Sequence, residues 1–147
     1  MNALEKIREW VKTYPGFGIL NDFQIDYTDQ VPNTAGMFPD GLVEVSRRRD
    51  INGNVTVVNQ YNFAIHYLFE KAPGDDEGAK INADWVSEFQ EWVQTQSVMG
   101  LAPVFGDRPR REVIKAQNGA LYETDREGTA LYVVQLSVQF VKKYGRV

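Results

Sequence analysis

The stretch from Asn54 to Glu70, NVTVVNQYNFAIHYLFE, alternates almost without a break. Val55, Val57, Tyr61, Phe63, Ile65, Tyr67 and Phe69 are apolar at odd positions, with Asn59 the exception. Thr56, Gln60, Asn62, His66 and Glu70 make the even positions mostly polar. Successive side chains on a strand point to opposite faces, so the pattern predicts one long strand with its odd face against a core. At ~3.3 Å per residue the stretch would span roughly 55 Å. A globule of this chain length is only about 40 Å across. The strand therefore has to bend, carry a bulge, or reach past its own domain.

A second segment, TALYVVQLSVQFVKKY, repeats the pattern. Ala130, Tyr132, Val134, Leu136, Val138 and Phe140 share one face. Two such strands predict a sheet that extends beyond its helices, and an overhanging edge needs a cover, which in an assembly is another subunit.

Two helices are expected. Leu4, Ile7, Val11 and Tyr14 recur at three- and four-residue spacing, with Trp10 flanking, and Pro15-Gly16 stops the run. The second carries Trp85, Phe89, Trp92, Val93 and Gln96 on one face, starts at a cap from Asn82 or Asp84, and ends near Met99-Gly100. GFGILNDFQIDYT, after the first helix, reads as a strand. DQVPNTAGMFPDG, residues 29 to 41, reads as a loop, although Val31, Met37 and Phe38 are apolar. They either tuck back onto the core or cover a neighbouring subunit.

LVEVSRRR, residues 42 to 49, is a strand, and Asn52-Gly53 signals a hairpin into the long strand. Residues 71 to 80 read as an acidic, mobile connection. Residues 104 to 111 read as a loop, EVIKAQ as a short strand, Asn118-Gly119 as a turn, and ALYET as another strand. The order is α-β-β-β-α-β-β-β. It predicts a single α+β domain over residues 1–147, with a mixed, largely antiparallel sheet and two helices packed on one face.

Composition removes several function classes. The net charge of −4 argues against binding nucleic acid through phosphate contacts. With no cysteine and one histidine, disulfides, thiol chemistry and the common zinc ligand sets are excluded. The charged start MNALEKIREWVKTYP lacks the apolar run of a signal peptide, and no stretch is apolar for long enough to cross a membrane, so use without export is expected.

His66 lies on the even face with no serine, aspartate or glutamate within three residues on that face. A general base needs an orienting partner and a substrate in reach, so His66 reads as a surface or subunit-contact residue. Asp75-Asp76-Glu77 lacks the ligand spacing of a calcium loop, and Trp85 and Trp92 at i and i+7 read as a core stripe. The glycines form no phosphate-binding pattern. Arg47, Arg48 and Arg49 form one basic run, Arg108, Arg110 and Arg111 another, and Lys142, Lys143 and Arg146 a third. The two arginine runs are not interleaved with aromatic residues as single-strand binding requires. They read as solvated turns and strand ends, or as partners for a neighbouring subunit's acids.

The run DWVSEFQEWVQTQSVMGLAPVFG, followed by REVIKAQNGALYETDREGTALYVVQLSVQFVKKY, resembles the tail terminator and minor capsid (head-tail joining) proteins of tailed bacteriophages. The matching features are an aromatic helix ending near Trp92, a turn at Leu101-Ala102-Pro103, a hairpin, and a closing strand that ends in an aromatic. The first half agrees: a short helix, a strand, then a strand-turn-strand around Arg47 to Asn54.

The resemblance implies a structural protein of a phage or prophage virion, with no catalytic residues and no cofactor. It implies a self-assembled ring, usually a hexamer, that caps the tail tube and presents a surface to a head-completion protein. The chain would then reside at the tail or head-tail junction, and in the bacterial cytoplasm during assembly. Arg47, Arg48, Arg49, Met37, Phe38, Arg108, Arg110 and Arg111 are the candidate subunit contacts. The competing expectations are a small-ligand-binding domain, with a deep polar pocket on the even face of 56–70, and a peptide-binding adaptor that stays monomeric.

Overall fold

The computed structural model describes residues 2–20, 22–25, 34–70, 76–107, 112–124 and 129–145. Helix α1 (Ala3–Val11) begins at Asn2, whose side chain accepts from the Glu5 backbone N–H at 2.9 Å. It buries Ile7, Trp10 and Val11 and gives way to a 3₁₀ turn over Pro15–Ile19. Strands β1 (Asp22–Ile25), β2 (Thr34–Arg49) and β3 (Val55–Glu70) follow. Then come helix α2 (Asp76–Val98) and strands β4 (Val113–Thr124) and β5 (Thr129–Tyr144).

The architecture is α+β. Four strands form an antiparallel sheet in the order β2-β3-β5-β4, and the short β1 adds to β2 in parallel. Both helices contribute to the core on one face of the sheet. Strand β3 supplies Phe63, Ile65, Tyr67 and Phe69 to it, and β5 supplies Ala130, Tyr132, Val134, Leu136 and Val138. The alternation read in the two long strands is therefore the burial pattern itself. Helix α2 adds Val86, Phe89 and Val93 as its fully buried stripe, with Trp85 and Trp92 flanking it. Trp92 packs on Trp10 and Tyr14 of the first helical segment, at 4.7 and 5.4 Å between ring centroids, while Trp85 and Phe89 meet Tyr67.

Helix α2 ends as its sequence predicts. Gly100 takes φ +71°, the Leu101 N–H donates to the Gln96 carbonyl at 2.9 Å, and the Gly100 N–H donates to Ser97 at 3.2 Å. This is the Schellman pattern, which satisfies the last carbonyls of the helix.

Four boundaries differ from expectation. Strand β2 starts at Thr34, inside the supposed loop 29–41, of which residues 29–33 lie outside the described residues. Pro39 is tolerated because β1 pairs only as far as Met37, so that among the described residues no strand lies on the outer side of Pro39; the ladder to β3 then slips between Pro39 and Leu42, where Gly41 sits at φ +91°. Helix α2 starts at Asp76, with Glu77 in its first turn, where an acid favours the positive end of the helix. Asn82 is a buried residue inside that helix, not its cap. Of the expected connection 71–80, residues 71–75 lie outside the described residues and the rest is helical.

The strand expected straight after α1 begins only at Asp22, because Pro15 and its neighbours take the 3₁₀ turn first. Asn118-Gly119 is a bulge within the single strand β4, not a turn between two strands, so the order is α-β-β-β-α-β-β. Asn118 takes φ +60° there, and a Cβ on Gly119 would collide with the Gln90 side chain and approach Val86 Cγ1 to 2.7 Å.

Candidate assembly surface

The long strands do overhang the helix-covered body. Strand β4 accompanies β5 only as far as Gln139, and β1 leaves β2 after Met37. Beyond those points residues 42–49, 55–59 and 140–144 continue as a three-stranded arm. A tight turn closes its tip. The Asp50 N–H donates to the Asn54 carbonyl at 2.9 Å, and the Gly53 N–H donates to Asp50 at 3.1 Å. Only Gly53 of the Asn-Gly pair uses a positive φ, +87°. The Asp50 carboxylate accepts from the backbone N–H groups of Asn54 and Asn52, both at 2.9 Å. Those bonds, the Asn54 backbone foremost, lower its pKa.

One edge and one face of the arm are closed by the loop that precedes β4. Phe105 lies 5.8 Å from both Tyr61 and Phe140, whose rings stack at 5.2 Å. The Asp107 N–H donates to the Val141 carbonyl at 2.9 Å, and Asp107 Oδ2 accepts from the Lys143 N–H at 2.7 Å. The loop thereby takes the place that β4 vacates beside β5. Glu112, itself buried, braces the loop by accepting from the backbone of Phe105 and Gly106 at 2.9 and 3.2 Å. Lys6 ties it to α1 by donating to the Val104 carbonyl at 2.9 Å.

Among the described residues, nothing gives the β2 edge of the arm such a cover. Leu42 and Val43 point to opposite faces, and yet they are 52% and 50% exposed; Val45 is 48% exposed. Apolar side chains left half-bare on both faces of a strand mark a surface that another molecule can bury. Arg47, Arg48 and Arg49 follow them to the tip, all exposed, with Arg47 Nε 2.8 Å from Glu44 Oε1.

Met37 has no surface to offer a neighbour. It is 0% exposed, paired with Ile65 and inside the core, because β2 is a central strand at that point. Of the two readings of the apolar residues in 29–41, it follows the one that tucks them back. Phe38 points to the opposite face and lies against His66, ring centroids 4.6 Å apart. Partial burial there lowers the His66 pKa from its ordinary value. Val31, Arg108, Arg110 and Arg111 lie outside the described residues.

The helix-free face of the sheet carries a depression of about 210 Å³ whose lining includes Asp40, Gln60, Asn62, Gln135 and Ser137. Two of its polar side chains bond each other, Gln60 Nε2 donating to Asn62 Oδ1 at 2.7 Å, and the neighbouring Gln139 Nε2 donates to Gln60 Oε1 at 3.0 Å. No cluster of acids and histidine able to hold a metal occurs among the described residues, and none of their helices is long and apolar enough to cross a membrane.

One feature escaped the sequence reading. A cleft of about 450 Å³ opens between α2 and β4. Its trace in the sequence is Val98-Met99, an apolar pair off the buried stripe of α2. No protein-family model matches the chain, and no curated protein matches it.

Proposed function

We propose that this chain is a structural virion assembly protein of a tailed phage or prophage, a ring-forming tail terminator or head-tail joining component. The observation that carries the reading is the arm. A strand with apolar side chains half-exposed on both faces, ending in three arginines, is of little use to an isolated monomer. It is what a subunit needs to engage a neighbour in a closed, head-to-tail assembly. The resemblance in the layout of helices, hairpins and closing strand adds the specific role, with six subunits as the expected ring. The partners are then a tail tube protein on one side and a head-completion protein on the other.

The mutual bonding of Gln60, Asn62 and Gln139 supports this reading over a small-ligand site, where polar groups converge on an empty centre. The open β2 edge equally suits a peptide-binding adaptor, which would remain monomeric. Tails assembled with and without the protein decide between them by electron microscopy. Tubes of uniform length that join heads only when the protein is present are the expected result. Uniform, joinable tubes in its absence refute it.

A further inference from the structure

The cleft between α2 and β4 runs from Glu91 at one end to Val98 and Val113 at the other. Val98 is 81% exposed and Val113 43%, so its apolar end is open to solvent. The edge of β4 is already engaged by α2. The Ile114 N–H donates to Ser97 Oγ at 3.1 Å, and Gln90 Nε2 donates to the Ala116 carbonyl at 3.1 Å. With those backbone groups taken, an occupant docks there through its side chains and does not extend the sheet.

Beyond the cleft the exposed face of α2 turns acidic, with Glu91, Glu88 and Asp84. Lys80 is the one cation in the helix sequence, and its Nζ lies 3.5 Å from Glu77. A helix rises ~1.5 Å per residue, which sets Glu91 and Glu88 about 10 and 15 Å along the axis from Val98. A strand advances ~3.3 Å per ladder step, and Val45 is bulged out of the ladder, so Arg48 sits about 13 Å beyond Val43. The arm and the α2 face thus carry apolar and charged groups of opposite sign at comparable spacing.

We propose that the arm of one copy docks in the α2–β4 cleft of a second copy, with Leu42–Val45 on the Val98–Val113 end and Arg47–Arg49 over Glu91 and Glu88. The inference deepens the ring reading and rests on it. Arm and cleft are different surfaces of one chain, so each copy gives one contact and receives one. Such a heterologous contact closes into a ring or propagates as a filament.

The absence of cysteine makes the test clean. Val45→Cys and Val98→Cys are made separately, mixed at high concentration and oxidised. The expected product is a mixed disulfide dimer in several-fold excess over either like-with-like dimer. The double variant V45C/V98C gives a ladder of larger species. Reversing Glu88 and Glu91 to lysine lowers the mixed yield several-fold, and reversing Arg47, Arg48 and Arg49 to glutamate on the other copy restores it. Like-with-like products in equal yield, or indifference to both charge reversals, overturn the contact. If the mixed dimer forms but tail length is independent of the protein, the contact stands and the terminator role falls. If tails need the protein but the mixed dimer does not form, the role stands and this contact falls.

Discussion

Phe89 is the largest side chain of the fully buried stripe by which α2 is held to the sheet, and replacing it with alanine tests the core directly. Its ring is fully buried, 5.3 Å from Tyr14, 5.6 Å from Tyr67 and 6.0 Å from Trp92 between centroids. Transfer of such a side chain from water accounts for about 1.5–3 kcal/mol. The cavity left among rigid aromatic neighbours brings the loss for Phe→Ala to about 3–5 kcal/mol. Alanine is the better helix former by up to ~0.7 kcal/mol, which offsets a little of it.

The net expectation is a loss of about 3–4 kcal/mol. For a chain of 147 residues the unfolding entropy is roughly 0.3 kcal/mol/K, so the melting temperature should fall by about 10–13 °C. Ile81→Ala, on the same helix but at a side chain 67% exposed, should stay within about 0.5 kcal/mol of wild type. Urea denaturation followed by tryptophan fluorescence measures both, and an unchanged m-value shows that the two states are the same. A fall below about 5 °C for Phe89→Ala, or equal falls for the two variants, would refute the assignment of this face to the core.

Tyr67→Phe should leave stability unchanged or raise it by up to about 1 kcal/mol, because the buried hydroxyl has no hydrogen-bond partner among the described residues; a loss above ~1 kcal/mol in urea melts shows that it has one. Asn118→Val should cost about 1–2 kcal/mol, since a β-branched residue is strained at φ +60°, while Asn118→Gly should cost little; the paired melts fail the argument if the two variants match. Burial lowers the His66 pKa in the folded state, so the unfolded chain binds the proton more readily. The contribution of His66 is then fully present above the unfolded value near 6.5 and declines as pH falls through it, levelling off below the folded value. His66→Gln should flatten that part of the stability-pH curve without unfolding the protein, and an unchanged slope between variant and wild type assigns the dependence elsewhere.

The two long strands and the two helical stripes were legible because each has one buried face, and a buried face writes its period into the sequence. The start of β2 and the bulge at Asn118-Gly119 were not. Glycine, proline and asparagine satisfy the same local dihedral demands in a turn and in a bulged strand, and the choice is made by distant partners: Ile65 and Phe63 for β2, Gln90 and Val86 for Gly119. Asn82 misled for a similar reason. A capping residue type says nothing about whether the helix has already begun. Of the candidate contacts, Arg47, Arg48 and Arg49 were placed on an exposed arm, whereas the fate of Met37 depended on which strand lay beside it. The α2–β4 cleft exists only between elements, so no single segment announces it.

The central pair of strands differs from its neighbours in one respect. The β3–β5 ladder runs from Glu70 opposite Thr129 to Val55 opposite Tyr144 without a slip, while both flanking ladders are broken by bulges. Bulges are where a sheet bends and where its twist is set, and an unbroken ladder offers no such joint. The two inner strands of the arm therefore carry no such joint, whereas β2 beside them has one at the root of the arm and one within it. A force applied at Asp50 is carried as torque along the same two backbones that line up Phe69 and Tyr132 at the far end of the core. If the tip is held, that unbroken pair is the route by which its position constrains the body.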